Sequence, residues 1–211
     1  MQQDSPSQDS DLTASSEDVH DTLVHTAIRL LRKHAFHELS LEYVVARSGI
    51  APALAAEQFP TWDDLILATI HTWNTERMVP IRHIADEHGA VAHLRAVVVG
   101  NVRDPGLMRL LSAMTPISAT PDHPMAPLLQ RQWIQFHAMV QRALMHDIEV
   151  GREPTTMDPA RGAEQLIAMY EGLQLQSMVR PNMDVVEAYD RAVTRLRDGW
   201  SVMYRQPVWD I

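Results

Sequence analysis

The sequence has eleven histidines and no cysteine, and this limits the chemistry that it could support. Imidazole acts as a general acid or base and as a metal ligand, and two such ligands on one helix face are four residues apart. His83, His88 and His93 are five residues apart, and no carboxylate motif accompanies them or the widely separated His137 and His146. The lack of cysteine excludes disulfides and cysteine-based zinc or iron–sulfur sites. We therefore expect no metal site and no cofactor.

Motifs for nucleophilic or nucleotide chemistry are missing as well. The sequence contains no G-x-S-x-G, no P-loop and no G-x-G-x-x-G. These patterns place a nucleophile on a sharp turn or cradle phosphates with backbone amides. We therefore expect no catalytic residues, and the remaining functional classes are binding proteins.

The composition limits which partners are expected. The chain of 211 residues is 45% hydrophobic, only 6% aromatic and rich in methionine, which suits helical packing better than a β-sandwich. A formal net charge of −9 gives no general attraction to DNA or anionic lipid, so DNA binding would need a local surface. No signal-peptide pattern and no apolar run of about 18 residues is present, so we expect no membrane partner and a cytoplasmic location.

Helical periodicity runs along the whole chain, so we predict an all-α fold with a helix-turn-helix head and a helical body. Leu23, Ala27, Leu30 and Leu31 share one face of a first helix that is predicted to end near His34. The predicted organisation is a disordered tail at residues 1–16, a DNA-binding head at 17–60, and a ligand-binding and dimerisation body at 61–211. In the head, a short helix, a glycine-led turn and a second short helix follow one another. Four local signals mark where these helices begin and end: the cap Ser40, the turn residue Gly49, the helix breaker Phe59-Pro60, and the capping pair Thr61 and Asp64.

The stretch Thr26–Ile70 resembles the TetR family of bacterial transcriptional regulators. The positions that set the backbone carry this resemblance, namely Ala27, Leu31, Phe36, Ser40, Val44-Val45, Gly49-Ile50, Phe59-Pro60 and Leu65. The segment Asp147–Gln176 is similar, less specifically, to the stretch that joins the long core helix to the dimer helix in many members. The resemblance implies a homodimer that binds palindromic double-stranded DNA and is released by a small-molecule effector.

The second helix of a helix-turn-helix reads the DNA major groove, so its exposed side chains are the candidates for DNA contact. The resemblance places the following residues there or beside it: Ser40, Arg47, Pro52, Ala53, Ala56, Glu57, Gln58 and Trp62. The family usually has Ser or Thr where this chain has Ala51, and often Lys or Arg where it has Pro52. From Glu17 to Pro60, six acidic residues face four basic ones. Since phosphate contacts need cations or hydroxyls, a second interpretation is a TetR-like fold with weak or lost DNA binding.

The body offers a candidate dimer interface on its last two helices. Val186, Tyr189, Val193, Leu196, Trp200 and Met203 recur at steps of three and four, which is typical of a coiled-coil seam. The candidate interface residues are Leu173, Tyr189, Val193, Leu196 and Trp200. The alternative is that this stripe packs on its own subunit.

A ligand cavity is predicted among the other body helices. Trp133, Phe136 and His137 have helical spacing, and methionines are common at adaptable binding surfaces. The candidate ligand contacts are Met108, Met114, Trp133, Phe136, His137, Met169 and Tyr170, with Gln130 as a further polar group. They would suit a mostly apolar molecule. The same residues would equally form plain hydrophobic core.

Overall fold

The computed structural model describes residues 15–204, and within this range every regular element is a helix. The all-α prediction is therefore confirmed. The ten α-helices of this range are α1 Ser16–Leu31, α2 Leu41–Ser48, α3 Pro52–Gln58, α4 Trp62–Met78, α5 Arg82–His88, α6 Ala90–Arg103, α7 Pro105–Ser118, α8 Ala126–Glu149, α9 Pro159–Val179 and α10 Val185–Trp200. Short 3-10 helices cover Phe36–Glu38 and Val79–Ile81.

Local capping signals place the three breaks of the head. The Ser40 hydroxyl accepts a hydrogen bond from the backbone of Tyr43 and starts α2. Gly49 ends α2 with a φ of 77°, a left-handed conformation that costs a glycine little. Thr61 and Asp64 form the predicted reciprocal capping box at the start of α4. These predictions are confirmed. They could be made from the sequence because each depends on contacts within a few residues.

Two hydrophobic clusters hold the described part of the chain together. The first contains the buried faces of α1 to α4 and extends to α7 and the start of α8. The second joins α6, α8, α9 and α10. Because the first cluster runs through α4, the side chains of the head and the body share one core across residue 60. The boundary at residue 60 stays a prediction.

Several predicted bounds differ from the structure. Residues 15 and 16, which the prediction assigned to the tail, belong to the first helix and its cap, because Ser15 caps α1 in a capping box with Asp18. The rest of the predicted tail, residues 1–14, lies outside the described range. Helix α1 ends at Leu31 rather than near His34. The last helix ends at Trp200 rather than near Tyr204. Helix α5 was not predicted, since its seven residues are mostly polar.

The junction of α5 and α6 is closed by a buried carboxylate. Asp147 of α8 accepts hydrogen bonds from the backbone N–H of Ala90, at 2.8 Å, and from Arg152, at 2.9 Å. Gly89 has a φ of 90°, and a Cβ atom there would lie 2.6 Å from this carboxylate. Only glycine fits both the backbone and the space at this position.

Candidate DNA-binding head and ligand cavity

Helix α3 is the second helix of the helix-turn-helix, and one side of it faces solvent. Pro52, Ala53, Ala56 and Glu57 are all exposed, so the structure brings these four predicted contact residues together on one surface. Leu54 is also 43% exposed there. Ala55, on the opposite side of α3, is buried in the core and cannot reach DNA.

Gln58 does not point freely from this surface. Its side-chain amide donates a 2.6 Å hydrogen bond to the hydroxyl of Ser16, at the start of α1. This contact ties the end of α3 to the supporting helix. Pairing with an adenine would first require this bond to break.

Three further candidates surround α3, each with a partner inside the head. The Ser40 hydroxyl caps α2 and remains exposed. The Arg47 guanidinium lies 3.4 Å from the ring centroid of Tyr43, one turn before it on α2. Trp62 is half-buried and stacks on Phe36, with ring centroids 6.0 Å apart. Tyr43 was missed by sequence reasoning, although its spacing of four residues from Arg47 could have indicated the pair.

The exposed side of α3 carries no cation and no hydroxyl. Its one charged residue is Glu57. Outside α3, the head carries four exposed cations, Arg29, Arg32, Lys33 and Arg47, of which Arg32 is paired with Asp104. Apart from Gln58, which is bonded to Ser16, base contact by α3 is therefore restricted to apolar contact and to the acceptor oxygens of Glu57.

The predicted dimer stripe on α10 faces its own subunit. Tyr189, Val193 and Trp200 are buried in the second core, and the Tyr189 hydroxyl donates to the carbonyl of Val91 at 2.9 Å. Their burial favours the alternative that this stripe packs on its own subunit, and the interface residues stay a prediction. The helical spacing showed an apolar face but not which chain covers it. Leu173 and Leu196 are partly buried beside the same core.

Another stripe, on α9, does face outward. Ala168, Gly172, Leu175 and Val179 recur at steps of four, three and four residues. Leu175 and Val179 are 55% and 79% exposed, which is high for large apolar side chains. A Cβ atom on Gly172 would meet nothing within 4 Å. This outer α9 stripe is an apolar surface that its own subunit leaves uncovered, although Leu175 also lies at the edge of the second cavity described below.

A cavity opens between α4, α6, α7, α8 and α9. Its volume is about 130 Å³, and its apolar walls include the predicted residues Met114, Trp133, Phe136 and Tyr170. A neighbouring cavity of about 220 Å³ shares Leu111, Trp133 and Tyr170 with it and is also lined by the predicted Met108. The two cavities therefore meet at a wall of two aromatic rings.

Three predicted ligand residues lie elsewhere. His137 and Met169 line neither cavity, and Met169 packs against the second core. The Gln130 amide donates to the carbonyl of Ser118 at 2.7 Å and also lies outside the two cavities.

A polar network that sequence reasoning missed closes one wall of the first cavity. The Arg77 guanidinium donates to the side-chain oxygens of Asn74, at 2.9 Å, and of Asn101. The Asn101 amide donates in turn to the Tyr170 hydroxyl at 2.8 Å and to the Gln174 side chain at 3.2 Å. Burial lowers the pKa of Arg77 and raises the pKa of Tyr170. Asn101, which follows the apolar run Val97-Val98-Val99, was the available sequence signal, whereas Arg77 stands among polar residues near the end of α4 and gave none.

The cavity wall is connected to the head by a short series of contacts. The Arg77 guanidinium lies 4.2 Å from the ring centroid of Trp73, and the Trp73 indole N–H donates to Asp104 at 3.1 Å. Arg32, at the end of α1, donates to the same carboxylate oxygen at 2.8 and 3.0 Å. Asp104 is the N-cap residue of α7, but its side chain makes no cap bond and joins α1 to α4 instead. Backbones are close here as well, because a Cβ atom on Gly106 would lie 2.4 Å from the carbonyl oxygen of Leu31.

Comparison with known proteins agrees with this architecture. Residues 87–198, just over half of the chain, match the family model described as BetI-type transcriptional repressor, C-terminal. No curated protein matches the sequence. Within residues 15–204, no helix is long and apolar enough to cross a membrane.

Solved structures share the fold across most of this chain. A TetR transcription regulator from Haloarcula marismortui has a TM-score of 0.71 and 17% identity, covering 87% of this chain and 98% of its own. A TetR family regulator from Agrobacterium tumefaciens has a TM-score of 0.67 and 18% identity, with 87% and 99% covered. The SmeT–triclosan complex has a TM-score of 0.67 and 18% identity, with 91% and 99% covered. From the helix-turn-helix head, the helical body and the match over its C-terminal part, the chain belongs to the TetR family of transcriptional regulators.

Proposed function

We propose that this protein is a homodimeric repressor that binds a palindromic operator and is released by a small ligand with a mostly apolar body. The observation that carries this proposal is the series of contacts from the cavity through Trp73 and Asp104 to Arg32 at the end of α1. Residues 17–60 would form the DNA-binding unit, and residues 61–211 the ligand and dimer unit. Its place of action would be the cytoplasm.

Ligand release follows from the position of α4 between cavity and head. Helix α4 carries both Arg77, on the cavity wall, and Trp73, which is bonded to the carboxylate that holds α1. A ligand that shifts the Arg77 end of α4 also moves the partners of Asp104, so the orientation of α1 changes with it. A ligand can shift this equilibrium only as far as it prefers one arrangement over the other. A ligand complex of this fold exists in SmeT with triclosan, which supports a small-molecule effector.

The outer α9 stripe is the proposed core of the homodimer. A second copy would cover Leu175 and Val179, which are otherwise exposed to water at an energetic cost. Replacing both with Glu should convert the dimer to monomers in sedimentation velocity, because the apolar contact is lost and like charges face one another. Ile134→Glu is the matched control, since Ile134 is 67% exposed and belongs to another helix, α8. An unchanged dimer in the double variant would refute this interface.

Selection of DNA from a random pool at low salt tests operator binding directly. The proposal predicts a palindromic site whose half-sites are about 34 Å apart and whose affinity falls steeply with salt. The second candidate function is a ligand-binding or protein-interaction module that has lost DNA binding. It is favoured by one specific observation, the exposed side of α3 without a cation or hydroxyl. Failure to enrich any sequence at low salt would support it.

A further inference from the structure

The first cavity contains a cation without a counter-charge. Arg77 is partly buried, and this burial lowers its pKa because the charged form loses solvation. Among the ion pairs of residues 15–204, none involves Arg77. Its side-chain hydrogen-bond acceptors are neutral: the amide oxygens of Asn74 and Asn101 accept from the guanidinium, and the Tyr170 hydroxyl oxygen also interacts with it. A buried charge is normally paired, because desolvation without a partner is costly.

The nearby carboxylate of Asp104 does not act as the counter-charge of Arg77. Asp104 attracts Arg77 electrostatically, but its carboxylate already accepts hydrogen bonds from Arg32 and from the Trp73 indole. The face of the Trp73 ring, rather than a carboxylate, lies against the Arg77 guanidinium. Guanidinium has five N–H donors in a planar fork, of which two are used here. Because Arg77 lines the first cavity, its remaining N–H groups are the donors available to a molecule bound there.

The Tyr170 hydroxyl is a second hydrogen-bond donor, beside the Arg77 guanidinium. The Asn101 side-chain oxygen accepts from Arg77, so its NH2 group must face Tyr170 and Gln174. The Tyr170 hydroxyl therefore accepts from Asn101 and keeps its own proton for another acceptor. Burial raises the pKa of Tyr170, so this hydroxyl stays protonated and able to donate near neutral pH.

We propose that the effector is an amphipathic monocarboxylate, with its anionic group on Arg77 and the Tyr170 hydroxyl and its apolar body against Leu129, Trp133 and Phe136. The proposal rests on the proposed function, because it names the ligand of the same cavity. A planar carboxylate fits the guanidinium fork with two parallel hydrogen bonds. The negative charge of the ligand would be the counter-charge that Arg77 lacks.

The walls and the volume define the rest of the ligand. Apolar side chains line most of the first cavity, and about 130 Å³ is similar to a cavity that holds one aromatic ring. The neighbouring cavity, beyond Trp133 and Tyr170, is lined by Glu171, whose pKa is raised by burial. A cationic ligand enclosed by these rings and Glu171 is the competing possibility that the experiment must distinguish.

Four probes with one apolar body separate these possibilities in the unmodified protein. They are 3-phenylpropionate, its amide, 3-phenylpropan-1-ol and 3-phenylpropylammonium, titrated into the full chain by calorimetry without DNA. The carboxylate should bind about tenfold tighter than the amide or the alcohol, since a charge-assisted hydrogen bond exceeds a neutral one. Equal or tighter binding of the ammonium or the alcohol would overturn the proposal, and so would no binding by any probe.

Substitutions of Arg77 test its role. Arg77→Gln should remove the preference for the carboxylate over the amide, while Arg77→Lys should keep part of it, because the charge remains but the fork is lost. Arg109→Gln on α7 is the matched control, since Arg109 is exposed and lines neither cavity. An unchanged preference in Arg77→Gln would overturn the proposal. Should that variant not fold, the comparison of the four probes in the unmodified protein decides.

Failure of this inference differs from failure of the regulatory proposal. DNA release is measured separately, by adding the same four probes to the protein bound to its selected DNA. A carboxylate that binds without releasing DNA supports the ligand class and contradicts effector-controlled release. Release by the alcohol or the ammonium alone supports effector control and contradicts the ligand class.

Discussion

Asp104 joins the end of α1 to α4, and its removal should destabilise the protein more than removal of an ordinary surface carboxylate. In Asp104→Ala, the buried Trp73 indole N–H loses its acceptor, which costs about 1–3 kcal/mol. The lost pair with the half-exposed Arg32 adds about 0.2–1 kcal/mol after solvent screening. Asp104 makes no side-chain cap bond, so no cap contribution is lost. We expect a total of about 2 kcal/mol.

Two variants serve as references for this value. Asp104→Asn keeps an acceptor for the indole and should lose only about 1 kcal/mol. Asp190→Ala breaks the ion pair with Arg95, in which both side chains are about half exposed, and should also cost at most about 1 kcal/mol. The free energy of unfolding is measured in urea at one fixed protein concentration, because dimer formation makes it concentration-dependent. The reasoning is refuted if Asp104→Ala is no more destabilising than Asp190→Ala.

Three further predictions concern other parts of the structure. Gly89→Ala should destabilise the protein by about 1–3 kcal/mol, seen as a lower urea midpoint, because the φ of 90° is strained for alanine and its Cβ displaces the buried Asp147; an unchanged midpoint would contradict the geometry. His93 is buried with a lowered pKa, so the stability it contributes is present above its unfolded pKa of about 6.5 and is lost as pH falls towards its folded value. His93→Leu should therefore flatten the fall in stability between about pH 6.5 and pH 5, and an unaltered pH profile would count against this assignment. Arg47→Ala should weaken DNA binding similarly on all sequences and reduce the salt slope by about 1, whereas a loss confined to one base position would indicate base contact instead.

Much of the head was predictable because its breaks depend on local chemistry. Ser40 accepts from a backbone N–H three residues away, and Gly49 adopts a left-handed conformation that side chains disfavour. The same holds for the capping box of Thr61 and Asp64. Each of these signals acts within one helical turn, so the amino-acid order alone contains the information.

The site was less predictable, because its polar residues depend on partners far along the chain. Met114, Trp133, Phe136 and Tyr170 were predicted from helical spacing and do line the cavity. Arg77 was missed, since its importance comes from Asn101 on another helix and from the lack of a counter-charge. Tertiary packing decides both the contact with Asn101 and the lack of a counter-charge.

The sequence by itself determined an all-helical chain, the turns of its helix-turn-helix and the lack of cations on the exposed side of α3. These follow from side-chain types and from spacings within a few residues. Only the tertiary structure decided that Tyr189 and Trp200 face their own subunit, that the α9 stripe faces outward, and that Asp104 joins head to body. An apolar period shows that a face is covered, but only the packing of the whole chain shows what covers it.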